Sequence, residues 1–266
     1  MGSDRWSPGK WVDVNAHDGL HPPAAGDAGA WRYVRLALSE AIADESLSGP
    51  PATLQRICRA ATSSLLLSGA VVQVITDSQE AVVLASSDGV SRRLGQIAFE
   101  VGEGPCLDAF SLARPVLVRD LLGEGQSRWP GYVSAISGEG VGAVYAFPLH
   151  VGAVRLGVLE LYGARVHPLS SAELPRALAF AEAATDTLAD PASGSSVAWL
   201  DDRSVGAMDH RLEIHQAQGM VTVDLGVDLA EALALMRAHA FGRDVPLLEI
   251  ARRILAGERL QVTGEG

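Results

Sequence analysis

Between residues 208 and 260 the apolar side chains recur with a helical period three times over, with short breaks between the repeats. In the last repeat Leu247, Ile250, Ala251, Ile254 and Leu255 stand at i, i+3, i+4, i+7 and i+8, one stripe of an amphipathic helix. Pro246 fits a first turn, Asp244 offers a capping oxygen upstream, and Gly257 ends the segment. The middle repeat opens on Asp228 with Glu231 three residues on, a capping-box spacing, and carries Leu229, Ala232, Leu233, Met236 and Ala240. The first is less regular, with Met208, Leu212, Ile214, Ala217 and Val221, and should end near Leu225-Gly226. Helices this close in sequence bury their stripes against one another, so a compact three-helix unit is expected.

The preceding half of the chain has a different rhythm. A helix is expected over 31–47, with Val34, Leu38, Ala41 and Ile42 as its stripe and Gly49-Pro50-Pro51 as its break. A second helix starts at Thr53 and places Leu54, Ile57, Cys58, Ala61 and Leu65 on one side, where Cys58 is a packing residue. Strand-like runs over 69–76 and 81–86 flank the turn Asp77-Ser78-Gln79-Glu80, a hairpin by spacing. A helical stretch over 92–99 precedes the loop GEGPCLDAF (102–110) and a short strand at 114–118. A short helix opens at Trp129-Pro130, and strands over 142–151 and 154–162 turn at Gly152-Ala153. A helix from Ser170, with Glu173 at capping-box spacing, runs to about Leu188. Antiparallel strand pairs flanked by helices, followed by an all-helical unit, make the fold class α+β. The expected division is a flexible leader at 1–30, a sensor-like domain at 31–190, a linker at 191–203 around Pro191-Ala-Ser-Gly-Ser-Ser196, and the helical domain at 204–262.

Charge and composition exclude several functions. A net charge of −11 opposes broad adhesion to nucleic acid or to an anionic membrane. The one lysine, Lys10, lies in the leader, so a P-loop, a phosphate-accepting receiver site and Schiff-base chemistry are all excluded. Two cysteines without metal spacing, no apolar signal segment and no long apolar run lead us to expect a reduced, cytoplasmic protein with no membrane span. There is no His-Glu-x-x-His and no Gly-x-Ser-x-Gly, so an enzyme is not expected. His17 and His21 stand beside Pro22-Pro23, which argues against a helical metal pair.

The helical unit resembles the ANTAR family, three-helix domains that bind RNA and regulate transcription antitermination. Arg211, Ile214, Gln216-Ala217-Gln218-Gly219-Met220, Glu231-Ala232, Leu235-Met236-Arg237, Ala240 and Leu248-Glu249-Ile250-Ala251-Arg252-Arg253-Ile254 carry the resemblance. The family usually has Lys where this chain has Gln218, which keeps a hydrogen-bond donor but not the charge. The middle domain is similar to GAF domains through 102–109, Arg114-Pro115, Trp129-Pro130, Pro148-Leu149 and Gly157-Val-Leu-Glu-Leu161. GAF followed by ANTAR is an order found in actinobacterial regulators. The resemblance implies a GAF-like antiparallel sheet flanked by helices, a homodimer, and mRNA hairpins as partner.

RNA contacts are expected at Arg211, Gln218, Gly219, Arg237, Arg252 and Arg253, because arginine suits phosphates and the bases of unpaired loops. From Met208 onward, however, nine acids face six arginines, so any basic surface must come from clustering. In the middle domain a small-molecule ligand of unknown identity is expected against Gly102, Gly104, Cys106 and Trp129. Glycines admit backbone N–H groups to an anion, and Cys106 stands at a helix start whose dipole would favour a thiolate. The bland reading makes these glycines turn residues and Cys106 a small buried hydrophobe. Two functions follow: a ligand-modulated RNA-binding antiterminator, or a small-molecule or redox sensor that acts through protein contacts or duplex DNA.

Overall fold

The computed structural model describes residues 28–75, 81–190, 202–243 and 245–260. The 69–76 and 81–86 runs form β1 (Gly69–Ile75) and β2 (Ala81–Ser86), an antiparallel pair whose expected turn at 77–80 lies outside the described residues. β3 (Val116–Val118), β4 (Ala143–Val151) and β5 (Val154–Gly163) complete an antiparallel sheet in the order β2-β1-β5-β4-β3. β5 is therefore the central strand. Both sides of β1 and β5 are covered, which is why these strands read as nearly continuous apolar runs rather than as alternation.

One side of the sheet is covered by α1 (Ala28–Glu40), α2 (Gly49–Ser64) and α7 (Glu173–Ala189), through Val34, Ile57, Phe147, Leu159, Leu161 and Phe180. Gly49-Pro50-Pro51 does not break a helix here; it starts one. The prolines occupy the first turn of α2, where a missing N–H is no loss. α1 stops at Glu40, seven residues short of the expected end, and Ile42 is exposed. At α7 the expected capping box forms: Glu173 N–H donates to Ser170 Oγ (3.2 Å) and Ser170 N–H donates to Glu173 Oε2 (2.7 Å).

The other side carries α3 (Gly89–Val101), α4 (Pro105–Leu112), the single turn α5 (Leu121–Glu124) and α6 (Pro130–Ala135). Asp88 caps α3 by accepting from Ser91 N–H, and Gly102 closes it at φ 80°. The stretch expected as a loop at 102–110 is mostly helix α4, because Pro105 sits in its first turn and Leu107, Ala109 and Phe110 are buried.

The C-terminal unit is α8 (Asp202–Leu225), α9 (Leu229–Gly242) and α10 (Leu247–Leu255). α8 begins inside the stretch expected as linker, of which 191–201 lies outside the described residues, as do 1–27 of the leader and Asp244. Asp228 caps α9 by accepting from Glu231 N–H at 2.8 Å, and Gly257 takes φ 96° beyond α10. Ile214, Ala217, Val221, Ala232, Leu233, Met236, Ala240, Leu247, Ile250, Ala251 and Ile254 are buried. Leu212, Leu229 and Leu255, placed on the stripes by their spacing, are exposed, since each stands at the edge of its stripe. The core of this unit is continuous with the cluster under α3, α4 and α6, so the two domains share one apolar cluster.

Candidate functional site

Of the six residues expected at RNA, the five other than Arg211 are not brought together. Arg237 turns inward from α9. Its Nε and Nη2 donate to the carbonyl oxygen of Phe99 at 3.1 and 2.7 Å, and its guanidinium lies 5.3 Å from the Phe99 ring centroid. Gly102 is what allows this approach, because a Cβ there would stand 2.8 Å from Arg237 Nη1. Burial pulls the Arg237 pKa down to about 10, still far above neutrality, so the charge is retained. A cation near the C-terminal end of α3 also meets the negative pole of that helix.

Gln218 is buried as well. Its Nε2 donates to Leu229 O at 2.6 Å and its Oε1 lies 3.1 Å from His215 Nδ1. The amide thus ties α8 to the start of α9 rather than facing outward, which corrects the expectation for this position. Gly219 lies on α8 with open space where a Cβ would stand. Arg211 belongs to α8, and its side chain lies outside the described residues.

Arg252 and Arg253 leave α10 in different directions. Arg252 holds Glu213 of α8 through both nitrogens, Nε to Oε2 at 2.7 Å and Nη2 to Oε1 at 3.3 Å. Arg253 pairs with Glu249 one turn earlier. On the Arg253 side a small groove is lined by His239, Arg243, Arg253, Glu258 and Arg259, with Ile250 and Ile254 beneath. Arg243 meets Glu258 there at 3.5 Å. Sequence reasoning missed His239, whose pKa is lowered by burial and by the neighbouring arginines, and gave no role to Arg259. Both stand where the ends of α9 and α10 converge, which spacing within a single helix cannot show.

In the middle domain, Gly104 opens α4 at φ 148°, packed so closely that a Cβ would come within 3.1 Å of Ala98 and of the Tyr132 ring. It serves close packing, not an open anion cradle. Trp129 is buried beneath the Arg128 guanidinium (4.2 Å), and Arg128 is paired with Asp108 of α4 at 2.8 Å. Glu103 caps α6, accepting from the N–H groups of Gly131 (2.5 Å) and Tyr132 (3.1 Å).

Cys106 does stand in the first turn of a helix, but its thiol is fully buried. Desolvation, with Glu160 nearby, pushes its pKa well above the ordinary thiol value, opposite to the thiolate expected from the helix dipole. The polar groups around it were not anticipated. Glu160 of β5 is fully buried on this side of the sheet, opposite Val71 and Ala146 in the neighbouring strands. Tyr162 Oη donates to Glu160 Oε2 at 2.7 Å, and Gln73 Nε2 of β1 reaches the same oxygen at 3.4 Å. Burial raises the Glu160 pKa to about 7. The signal was an acid inside the apolar run Gly157–Tyr162, at a position whose neighbours two residues away, Val158 and Tyr162, point inward.

Among the described residues no group of three or more His, Cys, Asp or Glu could hold a metal ion, and no helix is long and apolar enough to cross a membrane.

A helix-covered antiparallel sheet with a buried polar centre is thus joined to a three-helix unit with an arginine-lined edge. Residues 48–189, just over half of the chain, match the GAF domain family, and residues 204–255 match the ANTAR domain; the chain belongs to the GAF family and has the GAF-ANTAR architecture. No curated protein matches it. Solved structures similar to it include the GAF domain of a phosphoenolpyruvate-protein phosphotransferase from Acinetobacter, 10% identical with a TM-score of 0.46, covering 62% of this chain and 93% of that one. The corresponding GAF domain from Coxiella burnetii is 16% identical with a TM-score of 0.46, covering 68% and 96%. The reduced form of fRMsr of Staphylococcus aureus is 14% identical with a TM-score of 0.44, covering 60% and 95%.

Proposed function

We propose that this protein is an RNA-binding transcription antitermination regulator, in which the GAF domain senses a signal and modulates the grip of the ANTAR domain on hairpin loops of nascent mRNA. The observation that carries this reading is the direct seating of α9 on α3 through Arg237 and Phe99. A change at the sensor that shifts the last turn of α3 acts on the RNA-binding domain without any intervening lever. The RNA-facing groups are Arg243, Arg253 and Arg259, which share one edge, with Arg252 released from Glu213 on contact with phosphate. The overall charge of −11 restricts binding to sites that engage this edge, which favours selective over general RNA adhesion.

The exposed residues Leu212, Met220 and Val223 lie along one side of α8, and they support a homodimer that presents two such edges to paired hairpins. The same apolar side favours the second reading, a sensor that acts only through protein contacts.

Binding of the full-length protein to short tandem-hairpin RNAs at two salt concentrations, beside duplex DNA of equal charge, tests the proposal. Selective, salt-dependent RNA binding is the expected result, and equal or absent binding to both overturns it.

A further inference from the structure

The sensor domain holds three buried polar atoms to which the described residues give no hydrogen-bond partner: Glu160 Oε1, Gln73 Oε1 and Tyr132 Oη. Native interiors rarely leave such atoms unpaired, and here three belong to one cluster. Glu160 and Gln73 are already in contact through Gln73 Nε2 and Glu160 Oε2, so the two orphan oxygens sit on side chains that form a single polar island. Both are acceptors. The third is a hydroxyl brought in by α6, a six-residue helix whose first free N–H groups are held by Glu103. Around the island the same cluster is apolar and partly aromatic, with Leu107, Phe110, Trp129 and Val158, and small at Ala109 and Ala146.

We propose that Glu160 and Gln73 form the recognition end of a ligand site in the sensor domain. It takes a small molecule that presents a pair of N–H donors, of the amidine or guanidine type, on an aromatic or apolar body, beside the Tyr132 hydroxyl. This rests on the reading of the middle domain as a ligand sensor. Two buried acceptors on touching side chains match two parallel N–H donors, and a carboxylate strengthens the match when it is charged. An anionic ligand is disfavoured, since it would meet a buried carboxyl group and two acceptor oxygens with no cation among the residues that touch them. The other titratable groups around Glu160 are Cys106 from α4, Tyr132 from α6 and Tyr162 from β5, and burial pushes all three upward, so they stay neutral near pH 7. Ionisation of Glu160 therefore governs the charge of the site, and a cationic ligand binds more tightly as pH rises through neutrality.

The geometry also carries the signal outward. Tyr132 and Gly131 hang on Glu103, which follows Gly102 directly, and Gly102 is where Arg237 rests. A ligand that displaces Tyr132 pulls on the segment that seats the ANTAR domain.

Benzamidine is the probe, with benzoate as the anion of the same shape, and the full-length protein is titrated by ligand-observed NMR and thermal unfolding. Benzamidine is expected to bind and raise the unfolding midpoint, while benzoate does neither. Glu160→Gln keeps the side-chain volume, removes the charge, and is expected to bind benzamidine roughly ten- to hundredfold more weakly. Tyr132→Phe removes one hydroxyl from the same site and reports independently, with near-UV circular dichroism confirming that both variants are folded. Absence of benzamidine binding, equal binding of benzoate, or unchanged affinity in the folded Glu160→Gln variant overturns the proposal. None of these readouts involves RNA, so the site and the antitermination reading fail separately.

Discussion

The guanidinium of Arg237 donates both Nε and Nη2 to one carbonyl oxygen, that of Phe99, 138 residues earlier in the chain. That oxygen belongs to the last turn of α3. The side chain that the sequence places at RNA thus completes the end of a sensor helix.

Arg237→Met should loosen this seat. The substitution keeps an unbranched apolar stem but removes both charged donors to the Phe99 carbonyl, at an expected cost of about 1–3 kcal/mol. Hydrogen exchange should quicken in the last turn of α3 and in the middle of α9, while the α1–α2–α7 side stays protected. Uniform exchange change across the chain would show that the contact is not local.

Gln218→Leu tests the inward role of the amide. It removes the bond to Leu229 O, and urea unfolding should show a loss of about 1–2 kcal/mol. The folded variant should keep the salt dependence of RNA binding, because the residue does not reach the surface. A reduced slope would instead place Gln218 at the RNA.

Glu160 should make the protein less stable as pH rises. Its folded pKa of about 7 lies above the ordinary 4.5, so the folded state holds a proton that the unfolded state has released between these values. Stability contributed by the protonated group is complete below pH 4.5, falls between 4.5 and 7, and stays low above. Glu160→Gln should remove this slope and exceed the parent protein by on the order of 3 kcal/mol at pH 8, read from denaturation midpoints at several pH values.

Glu213→Gln should free Arg252. The pair is exposed, so thermal stability should hardly move. If Arg252 reaches phosphate, RNA affinity should rise, whereas Arg253→Ala should lower it and reduce the salt slope by about one unit. The two changes together separate the two sides of α10.

Much of the architecture was legible from local signals. Asp228 as the cap of α9, Ser170 with Glu173 as a reciprocal box, and Gly257 as a stop act within one turn of chain, and each stands in the structure where its spacing puts it. Period fixed the buried side of α10 but not its margins, since Leu255 stands where the stripe meets solvent. The site was harder to read, and the reason is long range. Arg237 has the chemistry for phosphate, and nothing near it in sequence announces Phe99. Gln218 resembled a neutralised surface donor until α9 brought the Leu229 carbonyl alongside. Glu160 was in plain view within Gly157–Leu161 as part of the family resemblance, yet its role depends on Gln73 and Tyr132, which come from two other elements. Clusters assembled by a sheet and its covering helices leave no period in the chain.

The continuity of apolar packing from beneath α3 into the bundle bears on how such proteins can be rearranged. An ANTAR unit grafted onto a foreign sensor would meet a surface without the counterpart of Phe99 or the opening that Gly102 provides, and its inner side would stay wet. Exchange of sensors between regulators of this build therefore requires the two faces to travel together.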